Sequence, residues 1–340
     1  MRKAIILFNL GGPDKLENVE PFLFNLFNDP AILNLPTFLR YPLAKLISNR
    51  RAPIAKKIYA ELGGSSPILK LTREQSGVLE TKLNQTQKED EYKCFIVMRC
   101  WNPRAKDVIK NVQLYSPDEV VLMPLYPQYS AATSGSSIKE WKDVCKKNNY
   151  HIKTSTICCY PTDQNFINAH TKEIIKKIKD LKNFKLIFSA HGLPEKNIEK
   201  GDPYQWQVEQ SVKKIVESLN DENLDWVLSY QSRVGPLKWI GPSTENVIKA
   251  EARKQKILII VPVAFVSEHS ETLVELDIEY KKLADENGCK SYVRIPAVTV
   301  NKDFINSLKS SILSASASNR FTSSIRCLEK FKKCPRLKNA

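Results

Sequence analysis

Short runs of β-branched and other apolar residues alternate along this chain with longer stretches in which apolar positions recur at helical spacing. Runs of the first kind lie at 4–9, 94–98, 119–123, 152–157, 185–189, 225–229, 257–261 and 291–295, and predict strands. Stretches of the second kind, such as 165–182 and 205–219, carry many lysines between the apolar positions and predict helices laid over a sheet. Strand and helix in regular alternation predict βαβ units and parallel sheets, an α/β fold.

The eight strands fall four and four, and the two halves echo each other. LFNLGGPD at 7–14 matches IFSAHGLPE at 187–195, each a strand end followed by a Gly/Pro turn. LMPLYPQYSAATSG at 122–135 matches IVPVAFVSEHSETL at 260–273, each an apolar strand with an internal proline and then a polar helix start. Self-similarity in the same order predicts two related domains. The expected division is 1–158, including an apolar segment 21–53 with basic edges, then 159–312, then a C-terminal helix and basic tail at 313–340.

Composition narrows the function classes. With 42% hydrophobic and 26% charged residues in 340, the chain buries sizeable cores. No apolar run reaches the roughly 18–20 residues of a membrane-spanning helix, and MRKAIILFNLGG reads as a first strand rather than a signal peptide. Eight scattered cysteines without framework spacing predict reduced thiols and a reducing compartment. The net charge of +15 favours anionic partners. Arg320, Arg326, Lys330, Lys332, Lys333, Arg336 and Lys338 face a single acid, Glu329, in the tail. Such a tail is either a solvated face or the basis of a loose association with an anionic membrane surface or substrate. No nucleic-acid motif or interleaved aromatic platform accompanies it, so no nucleic acid is expected. Neither G-x-G-x-x-G nor G-x-x-x-x-G-K-[ST] occurs, which argues against a nucleotide.

In open parallel sheets ligands bind beyond the carboxyl ends of the strands. His191 ends one predicted strand and is followed by Gly192, whose missing side chain admits a close neighbour. A neutral imidazole there either satisfies a backbone carbonyl or serves as proton acceptor or metal ligand. Glu271, Glu275 and Glu279 recur every four residues in the helix opened by SEHSE and drift over roughly 80° of an α-helical surface. Two readings stand for them: a solvated acidic face, or a file of carboxylates suited to a divalent cation. The loop from Gln231 to Pro242 is a Pro/Gly turn that carries Trp239.

Seven segments together resemble the ferrochelatase family over nearly the whole chain: LFNLGGPD (7–14), NRRAP (49–53), GGSSPI (63–68), LYPQYSAATSGSS (125–137), FSAHGLP (188–194), QSRVGPLKWIGPST (231–244) and FVSEHSETLVELDIEY (265–280). The resemblance implies two Rossmann-like, chelatase-type domains, each a four-stranded parallel sheet flanked by helices, with the active-site cleft between them. It implies a lyase that inserts Fe2+ into protoporphyrin IX, the terminal step of haem synthesis, with Fe2+ as substrate and no resident cofactor. His191 and Glu271 are then catalytic, on opposite sides of the macrocycle, with Glu275 and Glu279 as further metal contacts. Leu10, Arg51, Ser66, Arg99, Tyr129, Pro194 and Trp239 are expected to line the porphyrin pocket, Arg51 and Ser66 meeting propionates.

Two departures qualify the resemblance. Cys100 and Asn102 stand where many members have a phenol and an imidazole, so no substrate role is carried to them. Some members hold an iron–sulfur cluster through four cysteines, whereas here Cys327 and Cys334 have another number and spacing and Ala131 replaces an upstream ligand; no cluster is expected. Chelation of coproporphyrin or another tetrapyrrole, and carriage of porphyrin without catalysis, remain as alternatives. The expected location is the cytoplasm, peripheral to the inner face of its membrane.

Overall fold

The computed structural model describes all residues except 87–88, 234, 236, 319–320 and 339–340, with 317, 318 and 338 described by backbone alone. Val234 and Pro236 of the Trp239 loop, Arg320 and the Lys338 side chain therefore lie outside the described residues. The chain divides into two units. The first comprises Met1–Tyr126, Ser130–Cys158 and Leu308–Thr322, and the second Pro127–Tyr129, Cys159–Ser307 and Ser323–Ala340.

In the first unit β1 (Arg2–Asn9) pairs in parallel with β2 (Glu91–Met98) on one side and β3 (Glu119–Pro124) on the other. β4 (Thr154–Cys159) continues the sheet in parallel beyond β3. Ala4 to Phe8 are fully buried, as expected of a central parallel strand covered on both faces. Beneath it, Val108, Ile109 and Val112 of the helix Ala105–Tyr115 pack with Trp141 into one core. The sequence predicts four strands here, and the sheet has five: β9 (Phe321–Ser323) lies beside β4 at the edge. Its three residues, Phe-Thr-Ser, are too few and too polar to register as an apolar run.

In the second unit β5 (Phe184–His191) is central, flanked by β6 (Trp226–Gln231) and β7 (Ile257–Pro262), with β8 (Ser291–Arg294) beyond β7, all parallel. The order β6-β5-β7-β8 repeats β2-β1-β3-β4 of the first unit. Asp163 accepts hydrogen bonds from the backbone N–H of Asn165 and Phe166 and so starts the helix Gln164–Ile178. The C-terminal segment folds onto this unit: Phe331 stacks on Trp206 with ring centres 5.2 Å apart. Thr162 and Ser324 exchange hydrogen bonds, and Gln207 Nε2 donates to Cys327 Sγ at 3.3 Å.

The echo between the halves has a local counterpart. After β3 comes a π-helical turn, Ala131–Gly135, and after β7 a longer π-helix, Glu271–Glu279. No described helix is long and apolar enough to cross a membrane.

Candidate active site

The apolar run of β5 is buried through Ala190, and His191 is its last residue, opposite Gln231 at the end of β6. Gly192 N–H donates to the Gln231 carbonyl at 2.8 Å. A Cβ on Gly192 would stand 2.9 Å from that oxygen and 3.2 Å from the Trp239 ring, so only glycine lets this loop close over the strand end. His191 Nδ1 lies 2.5 Å from the Gly192 carbonyl, which can only accept, so Nδ1 carries the hydrogen. That bond turns Nε2 toward Glu271, whose Oε1 is 3.4 Å away. Gln231 Nε2 donates to the Glu271 carbonyl at 2.9 Å and holds the first turn of the π-helix beside the strand end.

Burial opposes charge on both partners, and their mutual attraction overcomes it. The His191 imidazole, against desolvation, is lifted to about 9 by the Glu271 carboxylate, helped by the Gly192 carbonyl and Glu275. Glu271, again against desolvation, is held down at about 2 chiefly by the charge and hydrogen bond of His191. The ligand-free pair is therefore an ion pair at neutral pH. Its side chains are 40% and 31% exposed, open enough to meet an incoming group.

The contact corrects one expectation. A flat ring slipped between two groups needs about 3.5 Å of van der Waals separation on each face, and His191 and Glu271 are separated by 3.4 Å in all. In this structure they form one unit with no space for a ring between them, because the end of β5 and the start of the π-helix are stitched together by Gln231. The segment also departs from the expected α-helix, so the computed α-helical drift of its carboxylates does not apply. It bonds i to i+5, with Tyr280 N–H on the Glu275 carbonyl.

Glu275 is surrounded by donors. Oε1 accepts from Ser232 N at 2.8 Å and Tyr280 Oη at 3.0 Å, and Oε2 from Ser232 Oγ at 2.5 Å and Gln231 Nε2 at 3.0 Å. Burial and the neighbouring Glu271 charge raise its pKa above the ordinary carboxylate value. Glu279, one turn on, is exposed. Arg294 clamps the same region, gripping Asp277 at 2.6 and 2.7 Å and Glu268 at 2.9 and 3.1 Å. His269 Nδ1 accepts the Glu271 backbone N–H at 3.0 Å, and burial keeps this imidazole neutral.

Of the remaining predicted residues, Pro194 and Trp239 are brought together as an antiparallel bridge between the strand-end loop and the Trp239 loop. The indole Nε1–H is buried without an acceptor. Tyr129 is buried, its N–H donating to Gln207 Oε1 at 2.7 Å. Leu10, Ser66, Arg99 and Arg51 belong to the first unit. Leu10 follows β1, its carbonyl accepting from Cys100 N–H at 2.8 Å. Ser66 presses on Gly12, where an added Cβ would stand 2.5 Å from it.

The two arginines differ. Arg99 is spoken for: Nη2 meets Asp29 at 2.9 Å, Nε donates to Ser136 Oγ at 2.7 Å, and Nη1 is 3.7 Å from Glu140. Arg51 is half-buried over the Phe27 ring, 5.5 Å from its centre, and burial lowers its pKa from the ordinary guanidinium value. Among the described residues no ion pair relieves it. The roles of Ser232, Gln231 and Arg294 had no sequence signal, since their partners lie tens of residues away. His269 and Glu268 stand in the SEHSE segment and were legible there.

Among the described residues no three His, Cys, Asp or Glu side chains are grouped to hold a metal ion. All eight cysteines are free thiols. Against known proteins, the ferrochelatase family model matches residues 2–316. A ferrochelatase of Pelagibacter ubique (strain HTCC1062) is 77% identical over 339 residues, covering 98% of both chains. One of Rickettsia bellii (strain OSU 85-389) is 52% identical over 312 residues, 92% of this chain and 86% of that relative. Among solved structures, SirB from Bacillus subtilis with Fe3+ superposes with a TM-score of 0.55 at 12% identity, covering 95% of this chain and 100% of that one. At that identity the likeness is one of fold. The family match over most of the length and the identity to its members together place this chain in the ferrochelatase family.

Proposed function

We propose that this chain inserts ferrous iron into protoporphyrin IX, with His191 and Glu271 acting as one unit on the reacting nitrogens and the metal. The observation that carries the reading is the 3.4 Å contact between an imidazole at a strand end and a carboxylate opening a π-helix, both partly open to solvent. Metallation requires loss of two pyrrole protons and stripping of water from the cation. Fe2+ brought to Glu271 withdraws the charge that stabilises the imidazolium, so its Nε2 proton passes to solvent water and Nε2 becomes a base for one pyrrole proton and, after handing that on to water, for the second. Nδ1–H on the Gly192 carbonyl fixes the ring while Nε2 takes up a pyrrole proton. Glu279 is the outer carboxylate available to the approaching cation.

Substrate contacts divide by what each side chain lacks. Arg51, half-buried and without a carboxylate partner among the described residues, supplies the charge for a propionate, with Ser66 as a hydroxyl donor. Trp239 offers an apolar face and an unused N–H, beside Pro194. Leu10 and Tyr129 add apolar surface. Arg99, neutralised by Asp29 and Glu140, acts as a brace for the strand end.

The helix Thr37–Glu61 supports attachment to the inner face of the cytoplasmic membrane. It exposes Phe38 (75%), Ile54 (66%) and, less fully, Leu39, Tyr41 and Leu46. Arg40, Lys45, Arg50, Lys56 and Lys57 lie on the same helix, whose one acid is Glu61 at its end. An apolar and basic surface of this kind fits an anionic bilayer. Cosedimentation with vesicles containing phosphatidylglycerol, and not with neutral vesicles, checks it.

Anaerobic mixing with protoporphyrin IX and Fe2+ tests the main reading. The Soret and visible bands should convert to those of haem at catalytic protein concentration. A stoichiometric Soret shift without turnover would identify a carrier, and faster turnover of coproporphyrin would move the substrate assignment.

A further inference from the structure

We infer that Glu275 is a positioning residue, which fixes the Trp239 loop and through it the His191 ring, and is not a stopping point for the incoming metal. The inference rests on the chelatase reading above and gives this carboxylate a different task within it.

A carboxylate offers about four lone-pair positions, and all four of Glu275 are met by donors: Ser232 N and Oγ, Gln231 Nε2 and Tyr280 Oη. A cation would have to break several of these bonds to bind. Glu279 presents no such obstacle, being exposed.

Three of the four donors are placed where the loop departs from β6, and the fourth, Tyr280 Oη, comes from the helix that follows the π-helix. Ser232 has φ of +59°, a left-handed conformation unfavourable for serine. Two of the four bonds come from this residue and offset that strain. The far end of the loop is sewn to the segment after His191: Glu195 N donates to the Lys238 carbonyl at 2.9 Å, and Ile240 N to the Leu193 carbonyl at 3.0 Å. Between the two ends, the Gln231 carbonyl takes the Gly192 N–H and the Gly192 carbonyl takes His191 Nδ1. A continuous hydrogen-bonded path thus runs from Glu275 through Gln231 and Gly192 to the imidazole. Displacing Ser232 moves Trp239 over Gly192 and rotates the His191 ring together.

Two substitutions separate the readings because each removes one property. Glu275→Gln keeps the reach and gives up the charge: its oxygen still accepts from Ser232 N and Tyr280 Oη, its amide N–H donates to Ser232 Oγ in place of accepting from it, and only the Gln231 Nε2 bond is lost. Glu275→Asp keeps the charge and falls short by one methylene. Initial rates are taken anaerobically at varied protoporphyrin and varied Fe2+, with thermal melts to confirm folding. Positioning predicts that Glu275→Asp raises KM for porphyrin about tenfold while Glu275→Gln changes it about threefold or less, KM for Fe2+ staying near native in both. The reverse order, with Glu275→Gln losing Fe2+ affinity, overturns the inference, as does an equal loss in both.

Ser232→Ala removes one donor and leaves the carboxylate, and guards against a misfolded aspartate variant. It should raise porphyrin KM a few-fold with Fe2+ unaffected; native values for both would overturn the proposal. Amide hydrogen exchange over 231–241 gives a readout independent of turnover. Faster exchange in Glu275→Asp than in Glu275→Gln supports the inference even if the unsubstituted protein fails to metallate protoporphyrin, an outcome that would remove the chelatase reading alone. Equal exchange in the two variants overturns it.

Discussion

The two units share a strand order, a proline-bearing strand end and a π-helical turn after the third strand, yet only the second arms that turn with charge. After β3 the turn reads Ala-Ala-Thr-Ser-Gly, with Ser130 capping it through a hydrogen bond from Ala132 N. After β7 it opens with Glu271 and continues through Glu275 to Glu279. At the equivalent central strand ends stand Asn9 and His191. The amide of Asn9 is consumed locally by Thr72 and the Leu10 N–H, whereas His191 points its Nε2 outward to Glu271. The contrast teaches that a π-helical turn is a scaffold feature here, and that chemistry depends on what it carries and on what clamps it. Each unit has its own clamp: Arg99 on Asp29 and Ser136, Arg294 on Asp277 and Glu268.

The strongest way to break the comparison is at the strand ends. His191→Ala should lower kcat by roughly 10²–10⁴-fold while porphyrin binding, followed by tryptophan quenching, survives. Asn9→Ala should leave kcat within a few-fold and cost about 1–3 kcal/mol of stability in urea denaturation. Comparable losses of kcat at both positions would erase the functional asymmetry.

The clamps come next. Arg99→Met strands the buried Asp29 and should lower stability by about 3–5 kcal/mol, and Arg294→Met strands the partly exposed Glu268 and Asp277 and should cost somewhat less, about 2–3 kcal/mol. Only Arg294→Met should also reduce kcat, because only its partners border the π-helix with Glu271. Thermal melts and turnover on the same samples check both halves of the statement.

Titration sharpens the contrast further. His191 is raised in the folded state from 6.5 to about 9, so its contribution is complete below 6.5 and is lost as pH rises through 9. Glu271 is lowered from 4.5 to about 2, so its contribution is complete above 4.5 and is lost as pH falls through 2. The pair therefore stabilises the fold most between these two ordinary values. In Glu271→Gln the imidazole should titrate well below 9, which a histidine NMR titration reads directly.

A smaller effect is expected at Arg51. Arg51→Met should raise KM for protoporphyrin about tenfold, equivalent to the loss of one charge-assisted hydrogen bond, with little change in melting temperature. The dimethyl ester should show no such difference between the two proteins.

The sheets were largely legible because the inner strands β1, β3 and β7 carry uninterrupted apolar runs, the mark of a strand covered on both faces. β9 was not, since three mixed residues have no period. The π-helices were hidden for a related reason: a period wider than that of the α-helix leaves the same residue types in nearly the same spacing. The internal echo nevertheless marked both places. His191 and Glu271 could be singled out by position, at a strand end and a helix start, but their contact could not, because 80 residues separate them and Gln231 from β6 closes the distance. Arg99 and Arg51 look alike as letters. Asp29 and Glu140, supplied by distant segments, pair with Arg99, whereas among the described residues no ion pair meets Arg51.

The tail has a bearing on how this protein is handled. Cutting the chain at residue 316, where its family match stops, would strip Phe331 from the Trp206 indole and take the sulfur acceptor from Gln207, whose other end holds the Tyr129 amide. A trimmed version designed for crystallisation would thus expose a sticky indole and slacken a backbone segment far from the cut. The last two dozen residues belong in any preparation meant to represent the native molecule.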